Sequence, residues 1–456
     1  MSRASHKGLS WFGIARLGLV QTALGAVVVL TTSTFNRVMV VELSLAAVLP
    51  GLLVAAHYAI QILRPRFGHG SDTGGRRTPW IIGGMIVLAF GGTLAAVAIA
   101  IAADHIAAGL ALSLIAYLMI GMGVGACGTS LLVLLAERAA PERRPAAATM
   151  TWVMMIIGFI VTTIVVGELL DPFSMQRLVA VTAGVGMVAV LITLLASAGI
   201  ESGGAAVQPA SAEAPRGDFR TAIREVLSEQ RTRRFGFFVF MSMLAYSAQD
   251  LLVEPFAGAL FGLTPGESTQ LGGVQHGGVL LGMILVGLIG SAYGKGRERP
   301  LRVCMVAGCL GSATMLSLLA LAAYNGGDWP LVANLFALGL ANGLFAVAAI
   351  GSMMSMVSEG HENRDGVRMG VWGAAQAIAF GLGGVIGTAL VDVVQWLTGS
   401  TPTAYGLAFV LQAALFVAAT LIAVSLSRDA ATALSRPASV EPFNRVASQE
   451  TAHGQV

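Results

Sequence analysis

Charged side chains are scarce in this sequence of 456 residues. There are 27 Lys and Arg and 24 Asp and Glu, which together make 11% of the chain, whereas soluble domains carry roughly 25%. Hydrophobic residues account for 55%. A soluble protein of this length would divide into two or three domains and cover their surfaces with charge. The composition therefore excludes a soluble enzyme and a disordered chain.

Cysteine is also rare, and the usual residue patterns of catalysis are missing. Cys127, Cys304 and Cys309 lie in apolar runs and have the spacing of neither a disulfide framework nor a metal site. No Ser-His-Asp arrangement, Walker loop or paired catalytic carboxylate pattern is visible. We therefore expect no enzymatic activity and no bound metal. The net charge of +3 does not require a nucleic-acid partner, because membrane topology explains the basic residues better.

Long apolar runs dominate the sequence instead. A spanning helix needs about 20 apolar residues to cross roughly 30 Å of hydrocarbon, and twelve runs satisfy this requirement. They cover approximately 15–35, 44–63, 79–102, 109–136, 146–167, 178–200, 235–261, 271–293, 301–324, 331–357, 369–394 and 405–427. The apolar part of the first run is too long for a signal peptide, so we interpret it as an uncleaved anchor. The sequence predicts an all-α membrane protein with twelve transmembrane helices.

The basic residues predict how these helices are oriented. If the N-terminus is placed in the cytoplasm, 25 of the 27 Lys and Arg fall on the cytoplasmic side, and only Arg37 and Arg177 fall opposite. Positive charge is retained in cytoplasmic loops. We therefore predict a multi-pass protein in the lipid bilayer with both termini in the cytoplasm.

A polar stretch divides the chain into two halves. The predicted units are an N-terminal six-helix half at 1–200, a cytoplasmic linker at 201–234, a C-terminal six-helix half at 235–427 and a disordered cytoplasmic tail at 428–456. The linker begins rich in Gly, Ala, Pro and Ser and ends in an amphipathic segment with several Arg. We expect that segment to lie on anionic headgroups, with a docking site for a partner as the alternative. Duplicated six-helix halves are a common transporter architecture.

The loop after the second span carries the sharpest local motif, G-x-x-x-D-x-x-G-R-R. Its defined positions are Gly68, Asp72, Gly75, Arg76 and Arg77. The glycines allow a tight turn, the aspartate can accept hydrogen bonds from a helix N-terminus, and the arginines can bridge carboxylates on neighbouring loops. The motif resembles the signature loop of the major facilitator superfamily, which implies a latch between two halves. The alternative is a basic turn that only fixes topology.

Two acidic residues lie inside the seventh span. Ionisable groups are costly in lipid and are functional candidates by default. Asp250 and Glu254 are four residues apart and so share one face of a helix. They are candidates for a contact with a partner or a pigment, or for a proton-coupled pair. The alternative is a hydrated helix end that happens to be acidic.

Two histidines inside the spans are candidate ligands for a flat ring. His57 lies in the second span, and His276 lies early in the eighth between glycines. A neutral imidazole can bind the magnesium of a chlorin ring. A lone histidine in a membrane more often forms a hydrogen bond to a neighbouring helix, so both interpretations remain open for both residues.

Several long segments resemble one family, the PucC/LhaA-type proteins of phototrophic bacteria. The segments that carry the resemblance are 16–43, 57–84, 246–268 and 360–384, and they include the motifs LRPRFGHGSD and QDLLVEPF. The resemblance spans residues 9–427. The linker within this range and the tail after it do not share it. Ordinary sugar or drug carriers do not carry these motifs at these places.

The resemblance implies an assembly factor for bacterial light-harvesting antenna complexes, LH1 or LH2. The implied cofactor is transiently bound bacteriochlorophyll. The implied partners are antenna α and β polypeptides, bacteriochlorophyll synthase and the membrane insertion machinery. The implied location is the bacterial inner, intracytoplasmic membrane. Two alternatives stay open: a secondary transporter of a lipophilic tetrapyrrole or drug-like solute, and a pigment-free docking scaffold for antenna rings.

Overall fold

The computed structural model of the protein describes residues 9–63, 76–140, 143–201, 228–292, 298–358 and 365–435. Within these ranges the chain is almost entirely helical, and twelve helices follow one another. They are α1 (Trp11–Glu42), α2 (Val48–Ile60), α3 (Thr78–Ala102), α4 (Ile106–Arg138), α5 (Arg144–Leu170), α6 (Met175–Ser197), α7 (Gln230–Phe261), α8 (Pro265–Ala292), α9 (Glu298–Asn325), α10 (Leu331–Ser358), α11 (Asp365–Thr398) and α12 (Thr401–Ser435).

Each predicted span coincides with one of these helices, which confirms the all-α membrane fold. In the described part of the chain, eleven of the helices are long and apolar enough to cross a membrane. The other, α2, has 13 residues and continues into a 3-10 turn at Gln61–Leu63. It begins later than predicted because Ser44, at φ 51°, turns the chain in the left-handed region after α1.

The first helix is longer than predicted and irregular. It was expected to end near residue 35, yet it continues to Glu42 through π-helical turns at Leu30–Thr34 and Val38–Glu42. The prediction was wrong because Arg37 looked too polar to lie within the span. Arg37 Nη1 instead pairs with Glu42 Oε1 at 2.9 Å, and its Nη2 donates to the Leu263 carbonyl at 2.8 Å. Polar groups that bond inside the protein in this way are compatible with a membrane helix.

The predicted linker and tail lie largely outside the described residues, at 202–227 and 436–456. At the end of the chain α12 continues to Ser435. Residues 428–435, which were predicted to be disordered, are therefore helical. Their composition, RDAATALS, agrees with a helix, because alanine and leucine have high helix propensity.

Buried apolar side chains form two clusters, one in each half. Residues of α1–α6 build the first cluster around side chains such as Leu88 and Tyr117, and residues of α7–α12 build the second around Phe256 and Phe409. Only Leu251 of α7 joins the cluster of the other half among the described residues. The halves meet where α2 packs on α11, where α5 packs on α8, and where α1 contacts α7.

The helices alternate in direction, so the bundle has two ends. We call the end at which α1 begins the arginine-rich end, because Arg16, Arg77 and Arg138 lie there. We call the end at which α1 finishes the opposite end, and Arg37 and Arg177 lie there. This distribution matches the sequence prediction, in which Arg37 and Arg177 lie on the side of the membrane opposite to the other basic residues.

Hydrogen bonds between the halves close the opposite end. The Asp392 carboxylate of α11 accepts hydrogen bonds from the backbone N–H groups of Ala47, at 2.8 Å, and Val48, at 2.7 Å. It therefore caps the start of α2 from the other half. Thr264, just before α8, donates to the Asp171 carboxylate after α5 at 2.9 Å. Both contacts tie helix ends of one half to helix ends of the other.

Glycines allow α8 and α10 to approach closely within the second half. A Cβ atom at Gly339 would overlap the carbonyl oxygen of Gln275, and a Cβ at Gly278 would overlap that of Phe336. Small residues are the usual means of close helix packing in a membrane, where burial of apolar surface drives association less than in water.

Replacing Gly339 with alanine should destabilise the second half. The added methyl group forces α10 away from α8, and overpacking of this kind costs about 1–3 kcal/mol. We expect a lower thermal unfolding temperature for Gly339→Ala in detergent. Gly287→Ala on α8 is the matched control, because a Cβ there meets no atom within 4 Å. Equal unfolding temperatures for the two variants would contradict this account of the packing.

Candidate functional site

Three polar side chains form a stripe on α7. Tyr246, Asp250 and Glu254 are each four residues apart and so share one face of the helix. The Tyr246 ring contacts Phe380 of α11, with centroids 6.0 Å apart, and Glu254 bonds Ser33 of α1. The predicted acidic pair therefore lies along the boundary between the halves.

Glu254 is the outermost member of the stripe and is buried. Its side chain is 1% exposed. Ser33 donates a hydrogen bond to Oε1, and Thr269 of α8 donates to Oε2 at 3.4 Å. The Thr269 hydroxyl also bonds the hydroxyl of Thr34 at 3.1 Å. These contacts exclude the hydrated helix end that was the alternative for this residue.

Asp250 lies one turn deeper and differs in its surroundings. It is partly exposed, and no hydrogen bond or ion pair joins it to any described residue. Aromatic rings lie one turn further along, at Tyr246: the centroids of Tyr58 and Phe380 are 5.4 Å apart, and Phe380 also contacts Tyr246. Asp250 is thus an unpaired carboxylate beside an aromatic bridge from α2 through α11 to α7.

His276 lies near the same level on α8. Gly272 lies against the Glu254 carboxylate, where a Cβ would be 3.2 Å from Oε1. His276 follows Gly272 by one helical turn, and Asp250 precedes Glu254 by one turn. The helices α7 and α8 are neighbours that run in opposite directions. The register therefore brings these candidate residues to the same depth on adjacent helices.

The contacts of His276 fix which ring nitrogen carries the proton. Nδ1 lies 2.8 Å from the Gly272 carbonyl oxygen. A carbonyl only accepts, so we assign the proton to Nδ1, and Nε2 keeps its lone pair. The ring is half-buried and meets the edge of Phe159 of α5, with centroids 4.9 Å apart. His276 is therefore oriented at the boundary between the halves with one nitrogen able to bind a Lewis acid.

His57 is placed differently. It is 2% exposed, and its Nε2 lies 2.9 Å from Nε2 of Gln61, one turn along the same helix. Its ring meets the Tyr58 ring at 4.9 Å. No hydrogen bond or ring contact joins His57 to His276 in the described part of the chain. The structure thus separates two histidines that the sequence left equivalent.

Part of the predicted latch loop can be located at the arginine-rich end. Gly68, Asp72 and Gly75 lie outside the described residues. Arg76 is exposed, while Arg77 is buried and its Nη2 pairs with Glu137 Oε1 of α4 at 2.7 Å. These contacts join helices of one half, and whether the loop latches the two halves stays a prediction.

The carboxylate of Glu201 completes this cluster. It follows α6 and accepts hydrogen bonds from the backbone N–H groups of Arg77, at 2.7 Å, and Thr78, at 3.0 Å. Partial burial raises the pKa of Glu201, but these hydrogen bonds and the nearby Arg138 guanidinium outweigh it and hold the pKa below its ordinary value. A residue distant in sequence therefore caps the N-terminus of α3.

Sequence reasoning missed the polar residues that join the halves. Ser33 and Thr34 were not distinguishable from the many other hydroxyl residues of the spans. Asp392 looked like an ordinary residue near a helix end. Arg37 did carry a signal, because it is one of only two basic residues assigned to the opposite side. In the described ranges, no group of three or more His, Cys, Asp or Glu could hold a metal ion.

The fold is that of transporters of the major facilitator type. A bacterial homologue of the human lysosomal transporter Spinster, in an inward-facing and unoccupied conformation, matches 94% of this chain and 98% of its own, with a TM-score of 0.68 and 15% identity. A D-xylose-proton symporter matches 88% of this chain and 96% of its own, with a TM-score of 0.65 and 15% identity. At such identities the likeness shows the fold alone.

The sequence comparisons define the family. The model of the PUCC protein family matches residues 34–431, and the chain belongs to this family. A protein of Rhodobacter capsulatus named bacteriochlorophyll synthase 44.5 kDa chain is 50% identical over 92% of this chain and 96% of its own length. The PucC protein of the same organism is 29% identical over 91% of this chain and 92% of its own. The family and the fold indicate a non-enzymatic, multi-pass membrane protein.

The Glu201 cap predicts a pH-dependent contribution to stability. The folded state holds the Glu201 pKa below its ordinary value of 4.5. The contribution is therefore present above that value and is lost as the pH falls through the lowered pKa. At pH 7 we expect Glu201→Gln to speed hydrogen–deuterium exchange in the first turn of α3, because a charged cap is worth about 0.5 kcal/mol at an exposed site.

The exposed Glu168→Gln is the control and should leave this exchange unchanged. The difference between Glu201→Gln and the native chain should shrink well below pH 4.5. A difference that persists undiminished at low pH, or none at pH 7, would refute the cap.

Proposed function

We propose that this protein is a membrane assembly factor for bacterial light-harvesting antenna complexes, LH1 or LH2. In this proposal it binds or delivers bacteriochlorophyll and chaperones the antenna α and β polypeptides. Membership in the PUCC family supports a role in the formation of these complexes. The relative named as a bacteriochlorophyll synthase chain supports a connection with that pigment.

The observation that carries pigment binding is the geometry of His276. Its Nδ1 is anchored on the Gly272 carbonyl, which orients the ring and leaves Nε2 free to act as a ligand. Metal-binding histidines are typically held through their other nitrogen in this way. Bacteriochlorophyll would supply a magnesium ion that accepts this lone pair. The residues present therefore fit the pigment at His276.

The surroundings of His276 suit a large apolar ligand. Phe159 meets the histidine ring, and the rings of Tyr58, Phe380 and Tyr246 form a separate cluster one turn further along α7 than Asp250. Pockets for flat apolar ligands are typically lined by aromatic side chains with a few polar groups that fix orientation. Asp250 would be such a polar group, since it has no partner among the described residues. Its role as a contact to pigment, partner or proton belongs to this proposal.

His57 is the weaker ligand candidate. Its Nε2 already bonds the Gln61 side chain, and its ring is almost fully buried. Binding a magnesium ion there would require both the hydrogen bond and the packing to be disrupted. We assign His57 to packing within the first half.

Topology supports the proposed orientation, and the family supports the proposed membrane and partners. We place the arginine-rich end and both termini in the cytoplasm, in the bacterial inner, intracytoplasmic membrane. The family resemblance implies bacteriochlorophyll synthase and the membrane insertion machinery as partners, and we propose both.

A secondary transporter is the second candidate. It is favoured by the transporter fold and by the carboxylates Asp250 and Glu254 between the halves. The solute would be a lipophilic tetrapyrrole or a drug-like molecule. Uptake into vesicles that Asp250→Asn abolishes would support it, and transport that does not depend on pH would oppose proton coupling.

An absorption spectrum tests the pigment proposal directly. The tagged protein is purified in mild detergent from photosynthetic membranes and scanned from 350 to 900 nm. We expect a co-eluting chlorin band that His276→Leu reduces at least about tenfold, which corresponds to about 1.4 kcal/mol of lost binding. His57→Leu is the matched control and should keep the band.

Several outcomes would contradict parts of the proposal. A monodisperse native protein without any chlorin band would favour the pigment-free docking scaffold. Loss of the band in His57→Leu but not in His276→Leu would reverse the assignment of the ligand.

The role in antenna assembly is tested separately in cells. Deleting the gene should lower the near-infrared antenna absorbance of whole cells several-fold, and the native gene should restore it. Complementation with His276→Leu should restore less than complementation with His57→Leu, provided that immunoblots show equal amounts of both variants. Unchanged antenna absorbance after deletion would end the assembly proposal whatever the purified protein binds.

A further inference from the structure

Glu254 joins three helices from both halves at a single carboxyl group. Ser33 comes from α1 in the first half, and Thr269 comes from α8 in the second. We propose that Glu254 is a proton-binding site whose occupancy controls closure of the opposite end of the bundle. The inference does not depend on the pigment proposal, because it concerns the protein without a bound ligand.

The partners of Glu254 can form hydrogen bonds with it in either protonation state. A hydroxyl group can donate to a carboxylate, and it can also accept a hydrogen bond from a protonated carboxyl. Ser33 and Thr269 are hydroxyl residues, and the Thr269 hydroxyl has Thr34 as a further hydroxyl partner. An arginine or lysine at these positions would have fixed the ionised form. The site can therefore gain or lose a proton without leaving a partner unsatisfied.

The other charged groups around this site have partners of their own. From α1, Arg37 is bonded to Glu42 and to the Leu263 carbonyl. From α11, Asp392 caps α2 through both of its oxygens. Arg37 has Glu42 as its counter-ion, although its Nε has no hydrogen-bond partner. Its charge is close enough to act on Glu254, and it opposes the effect of burial there. Within the described ranges Glu254 itself forms no ion pair.

Further titratable groups lie on α8, α12 and α7, and just after α5 lies Asp171, which accepts from the Thr264 hydroxyl and has its other oxygen buried without a partner. On α8, Glu267 accepts from the Thr264 backbone N–H at 2.8 Å, and His276 bonds Gly272. Tyr405 of α12 is buried against Phe256. Asp250 of α7 is a further carboxylate between the halves, but it lies one turn away from the hydroxyl cluster and has no partner among the described residues. The test therefore has to separate Glu254 from Asp250.

Burial determines the direction of the effect. Glu254 is 1% exposed while the opposite end is closed, and opening that end would hydrate it. Removing an ionised carboxylate from water costs far more than removing a neutral carboxyl group. The closed state therefore binds the proton more tightly, so low pH favours closure and high pH favours opening.

Distances between two spin labels can measure closure. Asp104, between α3 and α4, and Asp328, between α9 and α10, are exposed turn residues at the opposite end, one in each half. Both are changed to cysteine and labelled after the three native cysteines are replaced by alanine. Pulsed electron paramagnetic resonance is recorded on pigment-free protein in lipid nanodiscs at pH 8 and pH 5.

We expect the short-distance population to grow at pH 5. The ratio of closed to open protein should change at least about tenfold, which requires only a tenfold difference in proton affinity between the two states. Glu254→Gln imitates the protonated carboxyl and should show the short distance at both pH values. Glu254→Asp keeps the titrating group and should keep a pH response.

Two controls identify the responsible group. Glu267→Gln removes another carboxylate from the same end and should leave the response unchanged. Asp250→Asn should also respond to pH as the native chain does. The proposal is refuted if the native distances do not depend on pH, if Glu254→Gln responds as the native chain does, or if only Asp250→Asn abolishes the response.

Discussion

The contacts that α1 makes with the second half are the interactions on which the closed arrangement depends. Ser33 bonds Glu254, Thr34 bonds Thr269, Asn36 donates to the Leu251 carbonyl, and Arg37 donates to the Leu263 carbonyl. A regular α-helix spreads consecutive side chains around its axis. The π-helical turns of α1 change that spacing, and π-turns commonly occur at functional positions. Ser33, Asn36 and Arg37 are three and four residues apart and so share a face even of a regular helix, while Thr34 lies beside them within the first π-turn.

This closure sets the chemical character of the space between the halves. Most polar groups that link α1 to α7 and α8 bond within the protein, as a membrane requires, whereas Asn36 Oδ1 and Arg37 Nε are buried without a hydrogen-bond partner. One turn deeper, Asp250 has no partner in the described part of the chain, and His276 offers Nε2. Phe159 borders His276, and the rings of Tyr58 and Phe380 meet one turn further along, beside Tyr246. A ligand held there would meet a largely apolar site with two polar groups, which is unlike the site expected for a sugar.

Much of the fold could be predicted, because long apolar runs specify the helices and the preference of arginine for cytoplasmic loops specifies their orientation. The shared face of Asp250 and Glu254 also followed from their spacing. The end of α1 could not be predicted, since the partner of Arg37 across the boundary, the Leu263 carbonyl, is 226 residues away. His57 and His276 looked equivalent for a similar reason: their difference depends on whether Gln61 or the Gly272 carbonyl is the partner.

The two proposed sites share the same pair of helices, and this has a thermodynamic consequence. Gly272 accepts the hydrogen bond that orients His276, and it also lies against the Glu254 carboxylate. A displacement of α8 at His276 therefore changes the surroundings of Glu254, because one turn of a helix moves nearly as a rigid unit. Coupling between two binding sites is reciprocal. A ligand on His276 that favours one position of α8 must then alter proton binding at Glu254, and protonation of Glu254 must alter the affinity for that ligand by the same factor.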